Sequence, residues 1–403
     1  MNIFRKIYHR AFNGVMRVLI PVFPYREPKL LREIGEVVDL LKNSSVERVM
    51  IVTDKGIRGL GLTAPIEELI LNNKIGLTVY DGTMPNPTSE NVEEARELYL
   101  KNDCQALIAF GGGSAMDCAK AVGARIVRPK KPLKRMQGLI KICKKLPLFI
   151  AIPTTAGTGS ETTVASVIVD SETHHKYVIN DFCLIPDYAL LDPMVTVGLP
   201  KGLTATTGMD ALTHAVEAYI GRARTKGTKA ASERAVRLIF DNLERAYAEG
   251  SDIEARRNML EASYLAGTAF TKSYVGYVHA VAHTLGGKYG VAHGLANAVL
   301  LPKVLRAYGN GAVKPLSELA RAVGLADKSM SNESAAELII SHIEGMNNRM
   351  QIPSSFECIR TEDIHEMARL ADKEANPLYP VPVLWDAGEL EALYHLVGEG
   401  ADK

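Results

Sequence analysis

The chain has 403 residues, of which 47% are hydrophobic and 23% charged, and this length suffices for two domains with a large core. Because 47 Lys and Arg residues balance 46 Asp and Glu residues, the net charge of +1 gives no general attraction for nucleic acid, and a small neutral or weakly charged ligand fits better. The five cysteines are scattered without a CxxC pair, so they indicate a reducing compartment such as the cytoplasm rather than a disulfide framework or a cysteine zinc site.

The first predicted element is a basic amphipathic extension over residues 1–28. Apolar residues recur here near helical spacing, and five basic residues precede the first acid, Glu27: Arg5, Lys6, Arg10, Arg17 and Arg26. We favour a helix that packs on the domain or docks to a dimer partner, ahead of an interfacial membrane anchor and of a targeting segment. A secretory signal fits poorly, because Arg17 interrupts the apolar region.

Alternating helix and strand patterns predict an α/β domain over residues 29–200. Helical periodicity alternates with short apolar runs at 48–54, 76–82, 106–110 and 146–155, which is typical of a parallel, helix-covered sheet. A cofactor should bind at the carboxyl ends of such strands. A basic segment at 124–145 interrupts the pattern, and we interpret its charge as a solvated surface loop or insertion.

Beyond Pro200 the pattern changes to long helical segments, and strand signals nearly vanish. This change predicts a second, all-helical domain over residues 201–403. Several of its helices carry histidines, which makes it the candidate catalytic half.

A glycine turn in the first domain indicates phosphate binding. Gly111, Gly112, Gly113 and Ser114 follow an apolar strand and precede a helical pattern. Such a turn offers unpaired backbone N–H groups and the positive end of a helix dipole, while the missing side chains let a pyrophosphate approach closely. Taken alone the signal is weak, because any tight turn between a strand and a helix can use glycine.

A second loop, over residues 154–161, also follows an apolar strand directly. It supplies hydroxyls for hydrogen bonds to a phosphate or nicotinamide, from Thr154, Thr155, Thr158 and Ser160. Neither loop matches the GxGxxG pattern of the ordinary Rossmann fingerprint. Asp54, at the end of the first apolar run, either accepts hydrogen bonds from the adenosine ribose, which favours NAD over NADP, or caps a helix.

Histidines and one aspartate in the second domain indicate a metal site. Asp210 and His214 are four residues apart and therefore project from one helix face, and His279 and His283 repeat this spacing. We expect a break at Gly286-Gly287 to turn the chain back toward His293. Three neutral imidazoles and one carboxylate neutralise half of a divalent charge, which leaves a Lewis acid able to stabilise an alkoxide. Ligand type alone does not choose among iron, zinc, copper and nickel.

Six segments carry a resemblance to the iron-containing (group III) alcohol dehydrogenases that extends from about Pro28 onward. They are VTDKG (52–56), DGTMPNPT (81–88), GGGSAMDCAK (111–120), PTTAGTGSE (153–161), GMDALTHAVEAY (208–219) and HAVAHTLGGKYGVAHGLANAVLLP (279–302). The resemblance implies an α/β plus all-α fold of the dehydroquinate synthase-like kind. In it, an N-terminal parallel-sheet dinucleotide-binding domain precedes a C-terminal helical metal-binding domain, and the protein forms a homodimer or a larger homo-oligomer.

The resemblance also implies roles for individual residues. The metal ligands would be Asp210, His214, His279 and His293, and His283 would relay a proton near the substrate. The two loops would bind the cofactor together with Asp117 of the GGGSAMDCAK segment, Asp54 would set the preference for NAD over NADP, and Lys176 would contact the nucleotide. The implied metal is Fe2+, with Zn2+ as the alternative.

The sequence thus predicts a metal-dependent NAD(P)-linked alcohol dehydrogenase or aldehyde reductase. In this hypothesis the metal lowers the pKa of an alcohol hydroxyl, the alkoxide passes hydride to nicotinamide, and His283 or the cofactor ribose releases the proton. Alternatives on the same fold are a zinc polyol dehydrogenase, a hydroxyacid–oxoacid transhydrogenase and a dehydroquinate-synthase-like lyase. A metal-binding scaffold or shell-associated protein is a further alternative. Candidate pocket residues are Phe270, Tyr274 and Tyr277.

Overall fold

The computed structural model describes residues 1–172 and 175–398, so the last five residues of the predicted helical domain lie outside the described part. The chain divides into two compact units. One comprises Pro24–Gly198, and the other comprises Met1–Phe23 together with Leu199–Lys403. The assignment of residues 29–200 and 201–403 to two functional domains stays a prediction.

The Pro24–Gly198 unit contains nine strands and five α-helices among its described residues. The strands are β1 (Lys29–Leu31), β2 (Arg48–Val52), β3 (Gly76–Tyr80), β4 (Ala106–Gly111), β5 (Gly138–Leu139), β6 (Leu148–Pro153), β7 (Ala165–Val169), β8 (Lys176–Asn180) and β9 (Tyr188–Leu190). Helix α1 (Ile3–Leu19) belongs to the other unit, so the helices here are α2 (Ile34–Asn43), α3 (Lys55–Gly59), α4 (Ala64–Asn72), α5 (Ser89–Lys101) and α6 (Gly113–Val127). Short 3-10 helices lie at Leu133–Met136, Ser160–Thr162, Phe182–Leu184 and Pro193–Thr196.

Six of these strands form one sheet in the order β1-β9-β6-β4-β2-β3, and every neighbouring pair is parallel. Side chains alternate between its faces, so that Val49 and Ile51 pack with α2 and α4, whereas Met50 and Val52 pack with α5 and α6. All six residues of β4 are buried, as expected for a central strand covered on both faces. The predicted parallel, helix-covered sheet is therefore observed.

The basic segment at 124–145 is more ordered than the predicted surface loop. Part of it forms β5, which joins β8 and β7 in a second, three-stranded sheet. Leu133, Met136 and Ile142 of this segment are buried in the main core, and the Asp181 carboxylate accepts hydrogen bonds from the backbone N–H groups of Ile142 and Cys143. Burial of these apolar side chains holds a charged segment on the unit.

Among its described residues, the other unit has only helices as regular secondary structure, apart from an isolated bridge between Phe356 and Gly398. Its helices are α1 (Ile3–Leu19), α7 (Lys201–Ile220), α8 (Lys226–Ala248), α9 (Ile253–Ser273), α10 (Tyr277–Tyr289), α11 (His293–Ala307), α12 (Asn310–Ala322), α13 (Asn332–Arg349), α14 (Thr361–Ala375) and α15 (Ala387–Val397). A 3-10 turn, Ile20–Val22, follows α1. Nearly all of α7 from Gly208 onward is buried, so this helix forms the centre of the unit.

The predicted helix break at Gly286-Gly287 is wrong. Both glycines lie inside α10, which ends at Tyr289 and is followed by Gly290 with a φ of +70°. Glycine within a helix costs only about 1 kcal/mol relative to alanine, whereas the left-handed conformation after a helix is one that glycine adopts without strain. The chain therefore turns one residue after the helix, and α11 begins at His293.

Candidate metal centre and nucleotide-binding loops

Three helices of the helical unit bring four metal-binding side chains to one place. Asp210 and His214 lie one turn apart on α7, His279 lies in α10, and His293 begins α11. One donor atom from each of the four lies within 4.8 Å of the others. The Asp210 Oδ1 atom is 3.4 Å from His293 Nε2 and 3.9 Å from His279 Nε2. The structure thus brings together all four residues that the sequence predicted as ligands.

A close approach of α11 to α7 makes this arrangement possible. At Gly294, a Cβ atom would lie 2.4 Å from the carbonyl oxygen of Thr206 and 3.5 Å from the Asp210 Cβ. Only glycine fits at that separation, and the residue before it is His293. The glycine therefore lets the first residue of α11 place its imidazole beside the Asp210 carboxylate.

The residues fit a divalent cation in both spacing and charge. Bonds of about 2.0–2.2 Å from nitrogen and oxygen ligands require donor atoms a few ångströms apart around one point, as they are here. Burial is the main cause that holds the pKa of His279 well below its usual value. The neighbouring imidazoles of His214, His293 and His283 lower it further. His279 is therefore neutral, which is the form that binds a metal.

Glu217 supports the site and was not identified from the sequence. Its buried carboxylate accepts hydrogen bonds from the N–H groups of Gly276 (2.8 Å) and Val278 (2.8 Å) at the start of α10, and it lies 2.6 Å from His279 Nδ1. Burial raises the pKa of Glu217 to about 8. A carboxylate on the outer nitrogen of a ligand histidine fixes the ring so that the other nitrogen points toward the metal.

Asn297 is a second residue that the sequence analysis missed. Its side-chain Nδ2 donates to Asp210 Oδ1 at 2.6 Å and lies 3.2 Å from His279 Nε2 and from His293 Nε2. A single amide group thus meets three of the acceptor atoms that a cation would engage. Because these three atoms all face one N–H donor, they could also face one cation, which supports a cation site at this cluster.

His283 lies one turn after His279 on α10. Its Nδ1 atom is 2.7 Å from Glu374 Oε1, which also accepts a hydrogen bond from the Tyr379 hydroxyl at 2.7 Å. The His283 ring stacks on His293 with centroids 5.2 Å apart, and its side chain is 42% exposed. This histidine is therefore beside the ligand set, oriented by a carboxylate and accessible to solvent.

The candidate pocket residues Phe270, Tyr274 and Tyr277 lie in three different environments. Phe270 stacks on His214 with ring centroids 4.1 Å apart, so it covers a predicted ligand. Tyr277 is fully buried, and its hydroxyl bonds to the backbone of Trp385. Tyr274 directly follows α9 and has a φ of +62°. Of the three, the contacts place Phe270 at the metal centre and Tyr277 in the core.

In the Pro24–Gly198 unit, the predicted cofactor residues follow three adjacent strands. Asp54 lies just after β2, Gly111 ends β4 and is followed by Gly112 to Ser114, and Thr154 to Ser160 follow β6. Gly111 has a φ of +153°, and a Cβ there would lie 2.6 Å from the Ala115 Cβ. Glycine is therefore required where β4 ends and the chain enters α6. The N-terminus of α6 lies at this edge of the sheet.

The two loops lie against each other. A Cβ at Gly112 would be 3.4 Å from Thr155 Oγ1, and one at Gly113 would be 3.0 Å from Thr158 Cγ2. Asp54 caps α3, its carboxylate accepting from the Ile57 N–H at 2.9 Å. Lys176 lies at the start of β8, where its Nζ donates to Asn86 Oδ1 at 2.8 Å. The glycine turn and the hydroxyl-rich loop (residues 154–161) thus form one surface, and Asp54 lies just beyond the neighbouring strand β2.

Asp117 and Ser160 are joined to each other. The Ser160 hydroxyl donates to Asp117 Oδ1 at 3.2 Å, and the Val167 N–H donates to the other oxygen at 3.2 Å. Burial raises the pKa of Asp117 to about 6. In this structure the two side chains tie α6 to the loop and to β7.

Lys120, which sequence analysis did not single out, is the main support of the hydroxyl-rich loop. Its Nζ is fully buried and lies within 3.2 Å of five acceptors, namely the carbonyl oxygens of Ser160, Thr163 and Ala165 and the hydroxyls of Ser160 and Thr163. The lysine lies three residues after Asp117 on α6. That spacing within GGGSAMDCAK is the signal that could have identified it.

A parallel sheet that ends in a glycine turn and a hydroxyl-rich loop, together with a helical unit that bears a candidate cation site of three histidines and one carboxylate, is the arrangement expected of a metal-dependent, nucleotide-linked dehydrogenase. Two sequence models match the chain: "Iron-containing alcohol dehydrogenase" matches residues 27–193, and "Fe-containing alcohol dehydrogenase family, C-terminal" matches residues 204–396. The chain therefore belongs to the iron-containing alcohol dehydrogenase family.

Individual relatives and solved structures that resemble this chain support its membership of this family. The chain is 38% identical over 362 residues to 1,3-propanediol dehydrogenase of Citrobacter freundii, covering 89% of this chain and 92% of the relative. The crystal structure of a 1,3-propanediol oxidoreductase has a TM-score of 0.88 and 35% identity, with 93% of this chain and 99% of that chain covered. Sulfoacetaldehyde reductase from Bifidobacterium kashiwanohense, solved in complex with NAD+, has a TM-score of 0.83 and 28% identity over 94% of this chain and 99% of that chain.

These similarities confirm the predicted fold class and general function. The chain has the fold of the family, with an N-terminal parallel-sheet domain and a helical C-terminal domain. It is an oxidoreductase of the alcohol dehydrogenase and aldehyde reductase class.

Proposed function

We propose that this enzyme interconverts small alcohols and aldehydes with NAD, using one Fe2+ held by Asp210, His214, His279 and His293, with Zn2+ as the alternative metal. The observation that carries the proposal is the convergence of four donor atoms within 4.8 Å. The "iron-containing" description of the family favours Fe2+, because imidazole and carboxylate ligands alone suit either metal.

The protein's residues have distinct parts in the proposed reaction. A divalent cation in this site supplies Lewis acidity that favours the deprotonated form of an alcohol. Asp210 contributes the one carboxylate of the donor set, Glu217 holds His279 in orientation, and Phe270 covers His214. His283 exchanges the substrate proton at Nε2, because its Nδ1 is engaged by Glu374.

The proposed cofactor is NAD rather than NADP. Asp54 places a carboxylate at the end of β2, where it would accept hydrogen bonds from a ribose and repel an added phosphate. The relative solved with NAD+ supports this choice. Gly111, Gly112, Gly113, Ser114, Thr154, Thr155, Thr158 and Ser160 would bind the pyrophosphate and nicotinamide portions, with Asp117 acting through Ser160 and Lys176 reaching the nucleotide.

Assembly and location are further parts of the proposal. We infer a homodimer or larger homo-oligomer in the cytoplasm, a compartment consistent with five free cysteines. No helix in the described part of the chain has the length and apolarity needed to cross a bilayer. The N-terminal helix is proposed as a docking element.

The function is tested by metal analysis of protein purified without oxygen, together with NADH and NADPH oxidation over a panel of small aldehydes. We expect about one Fe2+ or Zn2+ per chain, aldehyde reduction that a chelator abolishes and the metal restores, and faster turnover with NADH. Full activity in metal-free protein would contradict the proposal. So would a metal-loaded enzyme that reduces none of the aldehydes with either cofactor.

Replacing His283 with alanine should lower kcat by about 100-fold, because a positioned proton-transfer group contributes about that much or more. The metal content should be unchanged, since His283 is not part of the four-donor cluster. Mass spectrometric metal analysis and steady-state kinetics on the same preparation separate the two effects. Loss of metal in this variant would make His283 a ligand instead.

A further inference from the structure

The N-terminal helix α1 presents an apolar face to solvent. Eight large apolar side chains on α1 and the turn after it are between 41% and 80% exposed: Ile3, Phe4, Ile7, Tyr8, Val15, Val18, Leu19 and Val22. Their spacing puts those on α1 on one side of the helix. Soluble proteins rarely expose a continuous apolar patch of this kind unless it binds something.

The opposite, polar side of α1 holds the helix on its own unit. Arg5 pairs with Asp372 at 2.9 Å, Arg10 donates to the carbonyl oxygens of Val381 and Pro382 at 2.8 Å, and Asn13 donates to that of Pro377 at 2.7 Å. His9 and Asn13 are the buried residues of the helix. A surface helix usually packs its apolar face against the protein. Here α1 packs with its polar side instead, so its apolar face is exposed to solvent and can bind a partner.

This segment is an addition to the fold that the family shares. The two family models match residues 27–193 and 204–396, so residues 1–26 lie outside both of them. The helix α1 therefore belongs to the part of the chain that the family models do not describe. A role for its outward face is therefore separate from the shared chemistry.

The charge of residues 1–26 indicates which kind of partner binds the apolar face of α1. Residues 1–26 contain five Lys or Arg and no Asp or Glu. On α1, Lys6 is half-buried and Arg17 is exposed beside the apolar face. In a two-fold pair of copies the same patch meets itself, so Lys6 and Arg17 would approach the same two cations of the other copy, and α1 carries no acid to neutralise them. An anionic lipid surface would accept the apolar side chains and pair with the flanking cations.

We propose that the outward face of α1 binds the surface of a bilayer containing anionic lipid, lying in the interface with its apolar side chains among the headgroups and upper acyl chains. This deepens the docking role proposed above and does not depend on the enzyme's substrate. The attachment is peripheral, because the helix lies on the surface and is tied to the body of the enzyme by Arg5, Arg10 and Asn13.

The test is co-flotation of the purified full-length enzyme with vesicles of phosphatidylcholine alone or with about 30% phosphatidylglycerol. We expect at least about tenfold more bound protein with the anionic vesicles. The triple variant Phe4→Ser, Val15→Ser, Val18→Ser should lose about tenfold or more of that binding. The matched control Leu60→Ser, Leu71→Ser, Met194→Ser changes equally exposed apolar residues of the other unit and should keep it. Arg17→Glu should weaken binding to anionic vesicles only.

Other outcomes overturn the proposal. Equal flotation of wild type and triple variant would show that α1 is not the lipid contact. Absence of flotation, with the triple variant changing from dimer to monomer in sedimentation, would assign the apolar face to a second copy. Aldehyde reduction and melting temperature verify folding, and if the triple variant is unstable, Arg17→Glu alone decides. Because aldehyde reduction is measured separately, failure of lipid binding is distinguishable from failure of the proposed enzyme function.

Discussion

Replacing Asp210 with alanine is expected to remove the bound metal and to lower aldehyde reduction by on the order of 1,000-fold, since a metal Lewis acid contributes several kcal/mol to such a reaction. Asp210 supplies the one carboxylate among the four residues, and its Oδ1 lies 3.9 Å from His214 Nδ1, 3.9 Å from His279 Nε2 and 3.4 Å from His293 Nε2. Without it, three neutral imidazoles would bind a divalent cation without any compensating charge. Metal content by mass spectrometry and kcat on one preparation measure both effects.

A matched control is His365→Ala in the same unit. His365 is also a histidine paired with a carboxylate, lying 2.7 Å from Glu391, but its side chain is 83% exposed and it is outside the cluster. This variant should keep its metal and turnover. If Asp210→Ala kept full metal occupancy, the carboxylate would not be a ligand, and the four-donor assignment would have to be replaced.

The convergence of Asp210, His214, His279 and His293 could be predicted because their signals are local. The four-residue spacing of Asp210 and His214 is visible within one helix, and the histidines of the other segment are close together in sequence. Glu217 and Asn297 lie on two of the same helices, but Glu217 contacts α10 and Asn297 contacts Asp210 of α7, which are far away in the sequence. The partners of the Glu217 carboxylate, Gly276 and Val278, are 59 and 61 residues away along the chain. No periodicity within a segment reveals a contact of that kind.

The alternation of strands and helices was equally local, and it predicted the parallel sheet. Helix ends were harder, because Gly286, Gly287 and Gly290 all occur in α10 or at its end, and only tertiary packing selects which one terminates the helix. The outward direction of the apolar face of α1 was also hidden. The amphipathic pattern predicts two faces, but the acceptors that attract its polar side, such as Asp372 and the Val381 carbonyl, come from the other end of the chain.

Replacing Lys120 with methionine is expected to destabilise the protein by about 3–5 kcal/mol and to weaken NADH binding. Methionine has a similar length but cannot donate hydrogen bonds. Buried acceptors of Ser160, Thr163 and Ala165 would therefore lose their shared donor, and the hydroxyl-rich loop would lose its link to α6. Chemical denaturation and fluorescence titration with NADH measure the two effects. Lys101→Met, an exposed lysine at the end of α5, is the matched control.

The loss of stability in Lys120→Met should grow with pH. Burial already raises the pKa of Asp117 to about 6 and that of Glu161 to about 7, and the Lys120 ammonium opposes both shifts. Burial lowers the pKa of Lys120 itself to about 8, so the ammonium is still mostly protonated at pH 7. Without the Lys120 ammonium, the folded-state pKa values of both carboxyl groups rise further above their unfolded values.

An acid whose pKa is raised on folding stabilises the fold at pH values below its unfolded pKa, and this contribution is lost as the pH rises through its folded pKa. The melting temperature of Lys120→Met should therefore fall from pH 5 to pH 8 more steeply than that of Lys101→Met. Parallel pH profiles for the two variants, with unchanged NADH affinity, would mean that Lys120 neither neutralises these carboxylates nor holds the loop.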